Sequence, residues 1–308
     1  MFENLLSRSG ISLDRLETFC RVAETGGITK AAGGDPVRQS LYSRQIRELE
    51  EFFGAELKRR HGKGIVLTEA GRELARLARA QLKGLQDFHH TARAMPKNLS
   101  IAAGNSVLEW LVLPHLEMLR KASPGVRFEL HSLRTGETIT KLQDLALDIG
   151  IVREDAVERP LVSKRVGSLY SYALFVPNRI ARGLDAASLR KRLPDIPIAT
   201  SVGGQFREEL ESLSVKAKWK LRIEVSCSSF TQAARAVHAG ACAAVLPDIA
   251  ASDFDAERVA QFSLPFLKPY ARKLALAWNP RLIEVRPFVA DATVALHTAL
   301  SKTTTAVK

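Results

Sequence analysis

Five side chains between positions 39 and 47 carry the clearest chemistry in this chain: Gln39, Ser40, Ser43, Arg44 and Arg47. With Tyr42, Ile46 and Leu49 buried, helical spacing sends these five to the opposite face. Such a set suits the major groove of a DNA duplex. Arg can reach guanine or phosphate, Gln can reach adenine, and small hydroxyls allow close approach. A solvated polar face is the plainer alternative. The acids favour the groove: Glu48, Glu50 and Glu51 are held to the C-terminal half, and none lies between Asp35 and Glu48. Gln39 and Arg44 stand about 140° apart around a helix, so they address different points. Ser43 lies between them. Arg59, Arg60 and Lys63 form a second basic group around Gly62 and Gly64. From a hairpin tip they could meet phosphate or the minor groove, or remain a solvated turn.

Other chemistries find little support. The chain has no G-x-S-x-G, no P-loop and no H-E-x-x-H,. Gly203–Gly204 alone is too weak for a nucleotide site. His89 and His90 are adjacent, so on a helix they diverge by about 100° and chelate poorly. No cofactor or metal is expected. Cys20, Cys227 and Cys242 are an odd, widely spaced set, which suits buried hydrophobes in a reducing compartment better than disulfides or a redox pair. The opening residues lack a signal peptide's apolar stretch, and no apolar run nears the roughly 20 residues of a membrane span. A cytoplasmic location without membrane contact is the expectation.

The formal charge of +12, from 45 basic and 33 acidic residues, suggests a polyanionic partner,. Its distribution does not locate the partner. Residues 1–96 hold 16 Lys+Arg against 12 Asp+Glu, so most of the excess lies further on.

The elements that must position these groups fall into three parts. Over 11–67, Leu13, Leu16, Phe19 and Ala23 mark a first helix ending at Gly26–Gly27, and Ile28–Ala32 forms a short second one. Asp35 as N-cap with Pro36 behind it starts a long third helix, whose buried stripe is Tyr42, Ile46, Leu49 and Phe53. Gly54 ends it, and a hairpin follows around His61–Gly64. This is the plan of a winged helix-turn-helix. Over 68–95, Thr68 caps a long helix with Leu74, Ala78, Gln81, Leu85 and Phe88 at steps of 4 and 3. That seam fits either a dimer contact or an amphipathic face on its own domain. From residue 98 to 308, strand-like runs alternate with helical patterns. This predicts an α/β domain with largely parallel sheets, and its length suggests two lobes.

Three segments, LETFCRVAETGGITKAAG, RQSLYSRQIRELEEFFGAELKRR and GIVLTEAGREL, resemble the N-terminal domain of LysR-type transcriptional regulators. LSIAAGNS, SPGVRFEL, LALDIGIV and HAGACAAVLP follow that family's effector domain in order. The resemblance implies a winged helix-turn-helix, a dimerising linker helix and a two-lobed effector domain like periplasmic binding proteins. Lobe I would span about 98–160 and 267–300, and lobe II about 161–266. Such regulators usually assemble as tetramers on partly palindromic operators in double-stranded DNA and respond to a small molecule. Two departures stand out. Gly33-Gly34-Asp35-Pro36 follows the Ala31-Ala32 pair, which predicts that the recognition helix starts about one turn early. Arg38 occupies the place of the small polar residue before the recognition Gln.

By the same resemblance, effector contacts fall to Asn105, Ser106, Arg134, Thr135, Ser201 through Phe206, and Ser228–Thr231, including Ser229 and Phe230. Free N–H groups at helix starts favour an anion such as a carboxylate. Each hydroxyl could equally be a plain N-cap. Arg153, beside the expected crossover, could pair with an acidic ligand or line the hinge. Three rival functions remain. An enzyme would leave the first 95 residues unexplained, and a solute-binding protein would ordinarily be exported. A non-specific nucleoid protein fits the charge and would be distinguished by competition from random DNA.

Overall fold

The computed structural model describes residues 10–62, 64–201 and 205–303. Three helices open it: α1 (Leu13–Thr25), α2 (Ile28–Ala31) and α3 (Pro36–Phe53). Local chemistry sets their ends. The Ser12 hydroxyl accepts from Arg15 N, and Gly26 leaves α1 in the left-handed conformation,. The Asp35 carboxylate accepts from the N–H groups of Val37 and Arg38, with Pro36 next to it,. Strands β1 (Lys58–His61) and β2 (Gly64–Leu67) pair antiparallel as the wing, with His61 opposite Gly64. Phe19, Val22, Tyr42, Ile46, Leu49 and Leu57 fill the core.

Helix α4 (Glu69–Ala92) leaves this domain at Thr68, whose hydroxyl accepts from Gly71 N and donates to Glu56 O. Gly71 permits a close crossing, since a Cβ there would lie 1.9 Å from Leu57 O. The helix has three faces. Gly71, Ala75 and Ala78 are buried beside α1. Ala80, Lys83, Gly84 and Asp87 meet the effector domain, where a Cβ on Gly84 would strike Val285. Leu77, Gln81, Leu85 and Phe88 stay exposed. The expected seam therefore divides. Leu74 packs on the winged-helix core and Ala78 is buried, while Gln81, Leu85 and Phe88 remain outside with Leu77.

The effector domain holds two five-stranded sheets. Sheet I runs β4 (Val126–Ser132), β3 (Lys97–Ala103), β5 (Ile149–Arg153), β12 (Arg272–Trp278), β6 (Val162–Tyr170). Its first three strands are parallel, and β12 is antiparallel to both neighbours. Sheet II runs β11 (Val259–Ser263), β7 (Tyr172–Pro177), β10 (Ala243–Pro247), β8 (Pro197–Ser201), β9 (Arg222–Cys227). Covering helices include α5 (Thr135–Gln143), α6 (Gln205–Lys216), α7 (Phe230–His238), α8 (Pro280–Val285) and α9 (Phe288–Thr303). Among the described residues, no helix is long and apolar enough to cross a membrane.

The lobe boundaries differ from those expected. β6 pairs along β12 in sheet I, so the chain crosses at Ser171 rather than near 160. Leu264, Phe266, Leu267 and Tyr270 still pack in the lobe II core, so the return falls at Ala271 rather than 267. Charged residues Lys164 and Arg165 on an exposed edge strand hid β6 from an apolar-run search,.

Helix α4 is fixed to lobe I by a buried charge network. Arg286 reaches Asp87 of α4 at 2.6 Å, Asp148 at 2.5 Å and the Asn98 carbonyl at 2.6 Å. Lys83 reaches Asp148 at 2.7 Å. Ser100 donates from its N–H and its hydroxyl to the same carboxylate. Arg286 is 4% exposed and Asp148 2%. Two cations face two carboxylates, so the charges balance. Burial would raise Asp148, but Lys83, Arg286 and the Ser100 N–H together hold its carboxyl below the ordinary value,.

Arg286→Met keeps most of the volume but strips Asp87 of its cation. The expected loss is about 3–5 kcal/mol by urea denaturation at fixed protein concentration, and a loss under about 1 kcal/mol would contradict this account. The pH dependence follows from the depressed Asp148. Its contribution is full above the unfolded value of about 4 and fades as pH falls through the lower folded value. Asp148→Asn should therefore flatten the acid limb of the stability curve below about pH 4. An unchanged acid limb would assign acid unfolding to other carboxylates.

Candidate functional site

Two regions collect the residues singled out by sequence. The first is the exposed face of α3. Ser40, Arg44 and Arg47 point away from the core, and Ser43 is half-buried. Arg44 makes only a long contact to Glu48 at 3.8 Å, because Glu48 is held by Arg15 at 2.6 Å. Arg47 has no acidic partner among the described residues. Arg38 lies 3.5 Å from the capping Asp35. Such exposed pairs are weak and exchange readily for a phosphate.

Gln39 is placed differently from its neighbours. Its Nε2 donates to Gly34 O and its Oε1 accepts from the Thr29 hydroxyl. It therefore ties α3 to the preceding turn and sits at the edge of the polar face. Sequence reasoning missed Val37 and Leu41, which are 78% and 38% exposed on this same helix. Apolar groups presented among arginines suit thymine methyls. Their exposure beside a polar face was the available signal.

On the wing, Arg59 pairs with Glu56 at 3.0 Å. Lys63 lies outside the described residues. Arg60 lines a surface groove with Gly26, Gly27, Thr29, Lys30 and Gly64. Lys30 and Thr29 thus join the basic face from a four-residue helix too short for any periodic signal.

The second region lies between the lobes. Asn105 Oδ1 accepts from the Thr231 hydroxyl at 3.0 Å, linking lobe I to lobe II. Ser106 is buried and shares a 2.7 Å hydrogen bond with Tyr170. Ser229 caps α7 by accepting from Gln232 N, and Ser228 binds the Gln232 side chain. Phe206 stacks on Tyr172 at 4.5 Å and meets Phe230 edge-on at 4.9 Å. Tyr270 closes this group, and the Arg272 guanidinium lies 4.2 Å over its ring. Burial drives the hydroxyls of Tyr170 and Tyr172 well above the usual range, so both stay neutral donors,.

Asn105, Ser106, Phe206, Ser229 and Phe230 therefore converge. Arg134 and Thr135 start α5 at the adjacent carboxyl end of β4, with Arg134 exposed. Arg153 turns to Asp155 at 3.6 Å. Ser201 ends β8 half-buried, and 202–204 fall outside the described residues. Tyr170, Tyr172, Tyr270 and Arg272 were missed. Three of the chain's four tyrosines meet at this junction, and the Tyr170-x-Tyr172 pair was the one legible hint.

At the hinge, the Asp248 carboxylate accepts from the Ser171 hydroxyl at 2.5 Å, and Asp248 N donates to Ser171 O. Burial raises this carboxyl above its ordinary value. Trp110 of lobe I is buried among Ala173, Phe175 and Ala199 of lobe II.

Comparison with known proteins places this geometry. The family described as bacterial regulatory helix-turn-helix protein, lysR family, matches residues 13–72. The LysR substrate binding domain matches 94–287. The chain is 29% identical over 201 residues to the HTH-type transcriptional regulator HdfR of Yersinia enterocolitica, covering 63% of this chain and 68% of that one. It is 24% identical over 270 residues to the regulator YybE of Bacillus subtilis, covering 86% and 91%. Similar solved folds include a full-length OxyR variant from Pseudomonas aeruginosa, with TM-score 0.62, 18% identity and coverage of 94% and 98%. CbnR complexed with its target DNA gives TM-score 0.52 and 21% identity over 92% and 100%. With matches at both its helix-turn-helix and its substrate-binding domain, the chain belongs to the LysR family of DNA-binding transcriptional regulators.

Proposed function

We propose that α3 enters the major groove with Ser40, Arg44 and Arg47 toward base edges and phosphates, beside Val37 and Leu41. The observation that carries this reading is the exposed face itself, which has two arginines, Arg44 and Arg47, and no acid before Glu48. Arg38 and Ser43 flank that face, and Gln39 sets the angle of α3 as well as lying near the bases. Arg59, Arg60 and Lys63 of the wing, with Lys30, take the flanking backbone. Two copies associate through Leu77, Leu85 and Phe88 of α4, and two such dimers form a tetramer on a partly palindromic operator. A small anion binds between the lobes beside Asn105, Ser106, Phe206, Ser229 and Phe230. Arg134, Thr135, Arg153 and Ser201 border it. Arg272, which has no carboxylate partner among the described residues, presents its guanidinium over Tyr270 of the aromatic group.

An operator selected from random-sequence DNA tests the groove assignment. Arg44→Ala should cost about 1–3 kcal/mol with relaxed preference at one base pair if Arg44 reads guanine. If it holds phosphate, all sequences weaken alike and the salt slope falls by about one. Unchanged binding to operator and scrambled duplexes would remove α3 from the groove.

Leu85→Glu places a charge in the exposed apolar stripe of α4. Sedimentation should show association weakened at least about tenfold, with a dissociation constant raised by the equivalent of about 1.4 kcal/mol. A wild-type chain that is monomeric at micromolar concentration would refute the stripe as an interface.

A thermal-shift screen addresses the cleft. Carboxylic acids should stabilise the wild type before amines do, with Ser106→Ala and Phe230→Ala weakening the response. Equal shifts in both variants would move the site elsewhere.

A further inference from the structure

Lobe II carries an open depression of about 430 Å³ bordered by Arg190, Lys191, Lys218 and Lys220, with Ala187 and Pro194 between them. No carboxylate lines it. Lys191, Lys218 and Lys220 have no acidic partner among the described residues, whereas Arg222 just beyond is paired with Glu224. The nearby Asp185 is occupied by the Ser188 N–H and hydroxyl.

The two segments that bring these cations together are fastened to each other. Arg190 donates to the carbonyls of Ala217 and Lys218 and lies over the Trp219 ring. Lys218, just past the end of α6, has φ of 59°, and Trp219 N returns to Ser214 O behind it. Glycine would adopt that left-handed turn at lower cost. A lysine there keeps an ammonium on this rim. Four like charges held around one depression repel one another, and an anion laid across them relieves the repulsion.

We propose that this face of lobe II is a second contact for DNA, gripping the phosphate backbone outside the base pairs read by α3. The inference rests on the DNA-binding assignment and extends it to the effector domain. The depression is open and flat rather than enclosed, which suits an extended backbone better than a small anion.

The test uses the full-length protein on two duplexes of about 25 and about 75 base pairs sharing one centred operator, titrated at several salt concentrations. Lys191→Gln, Lys218→Gln and Lys220→Gln are combined, because all three are exposed and the substitution keeps chain length. On the long duplex the variant should lose about 2–3 units of salt slope, with affinity falling tenfold or more near physiological salt. On the short duplex it should bind like the wild type. Arg44→Ala, by contrast, should weaken both duplexes, which separates failure of the α3 assignment from failure of this one. Wild-type behaviour of the triple variant on the long duplex would overturn the proposal. Loss of transcription activation with DNA binding intact would overturn it too, and would assign the patch to an acidic protein surface.

Discussion

Arg286 is the point at which the sensing and reading parts of the molecule are joined. Its guanidinium binds Asp87 on the linker helix and Asp148 on lobe I, and Lys83 returns from the helix to the same Asp148. The desolvation cost of four ions is offset only because each carboxylate meets a cation and further N–H or O–H groups. Such an arrangement tolerates one geometry and penalises partial separation. The network therefore specifies how α4 lies on lobe I more than it adds net stability. Arg79 reinforces the joint by donating to Asp144 O of lobe I and Cys20 O of the winged helix.

A rigid joint at one end gives meaning to the movable one at the other. The lobes are connected at Ser171 and Ala271, where Asp248 grips Ser171. Across the cleft, Asn105–Thr231 and the packing of Trp110 into lobe II hold the two halves together. A ligand that binds one lobe arrangement better than another shifts their balance by that difference in affinity. Lobe I is the half joined to α4, by charge and by the close approach of Gly84 to Val285.

What was legible in the sequence follows from the range of the forces involved. The caps at Asp35 and Thr68 were readable because each acts within three residues. The polar face of α3 was readable because helical periodicity and acid placement are local. The seam of α4 was only half readable. Periodicity marks an apolar stripe but not whether a neighbouring domain covers it, so Leu74 and Ala78 turned inward while Leu85 and Phe88 did not. Strand β6 was lost to its own charged edge. The Arg286 network was invisible, since Asp87 and Asp148 lie 199 and 138 residues away in the chain. The aromatic group of Tyr172, Phe206, Phe230 and Tyr270 is likewise assembled within lobe II from segments far apart in the chain.

The tight crossing at Gly71, where Leu57 O leaves no room for a methyl group, has a mechanical consequence. The winged helix is clamped to the first half of α4, and lobe I holds the same helix from Glu73, which meets Arg281, to Asp87, which meets Arg286, so the overlapping grips tie both domains to the axis of that helix. Its 24 residues span about 36 Å at 1.5 Å per residue. A tilt of about 5° over that length moves one end of the helix against the other by about 3 Å, close to the 3.4 Å step between successive base pairs.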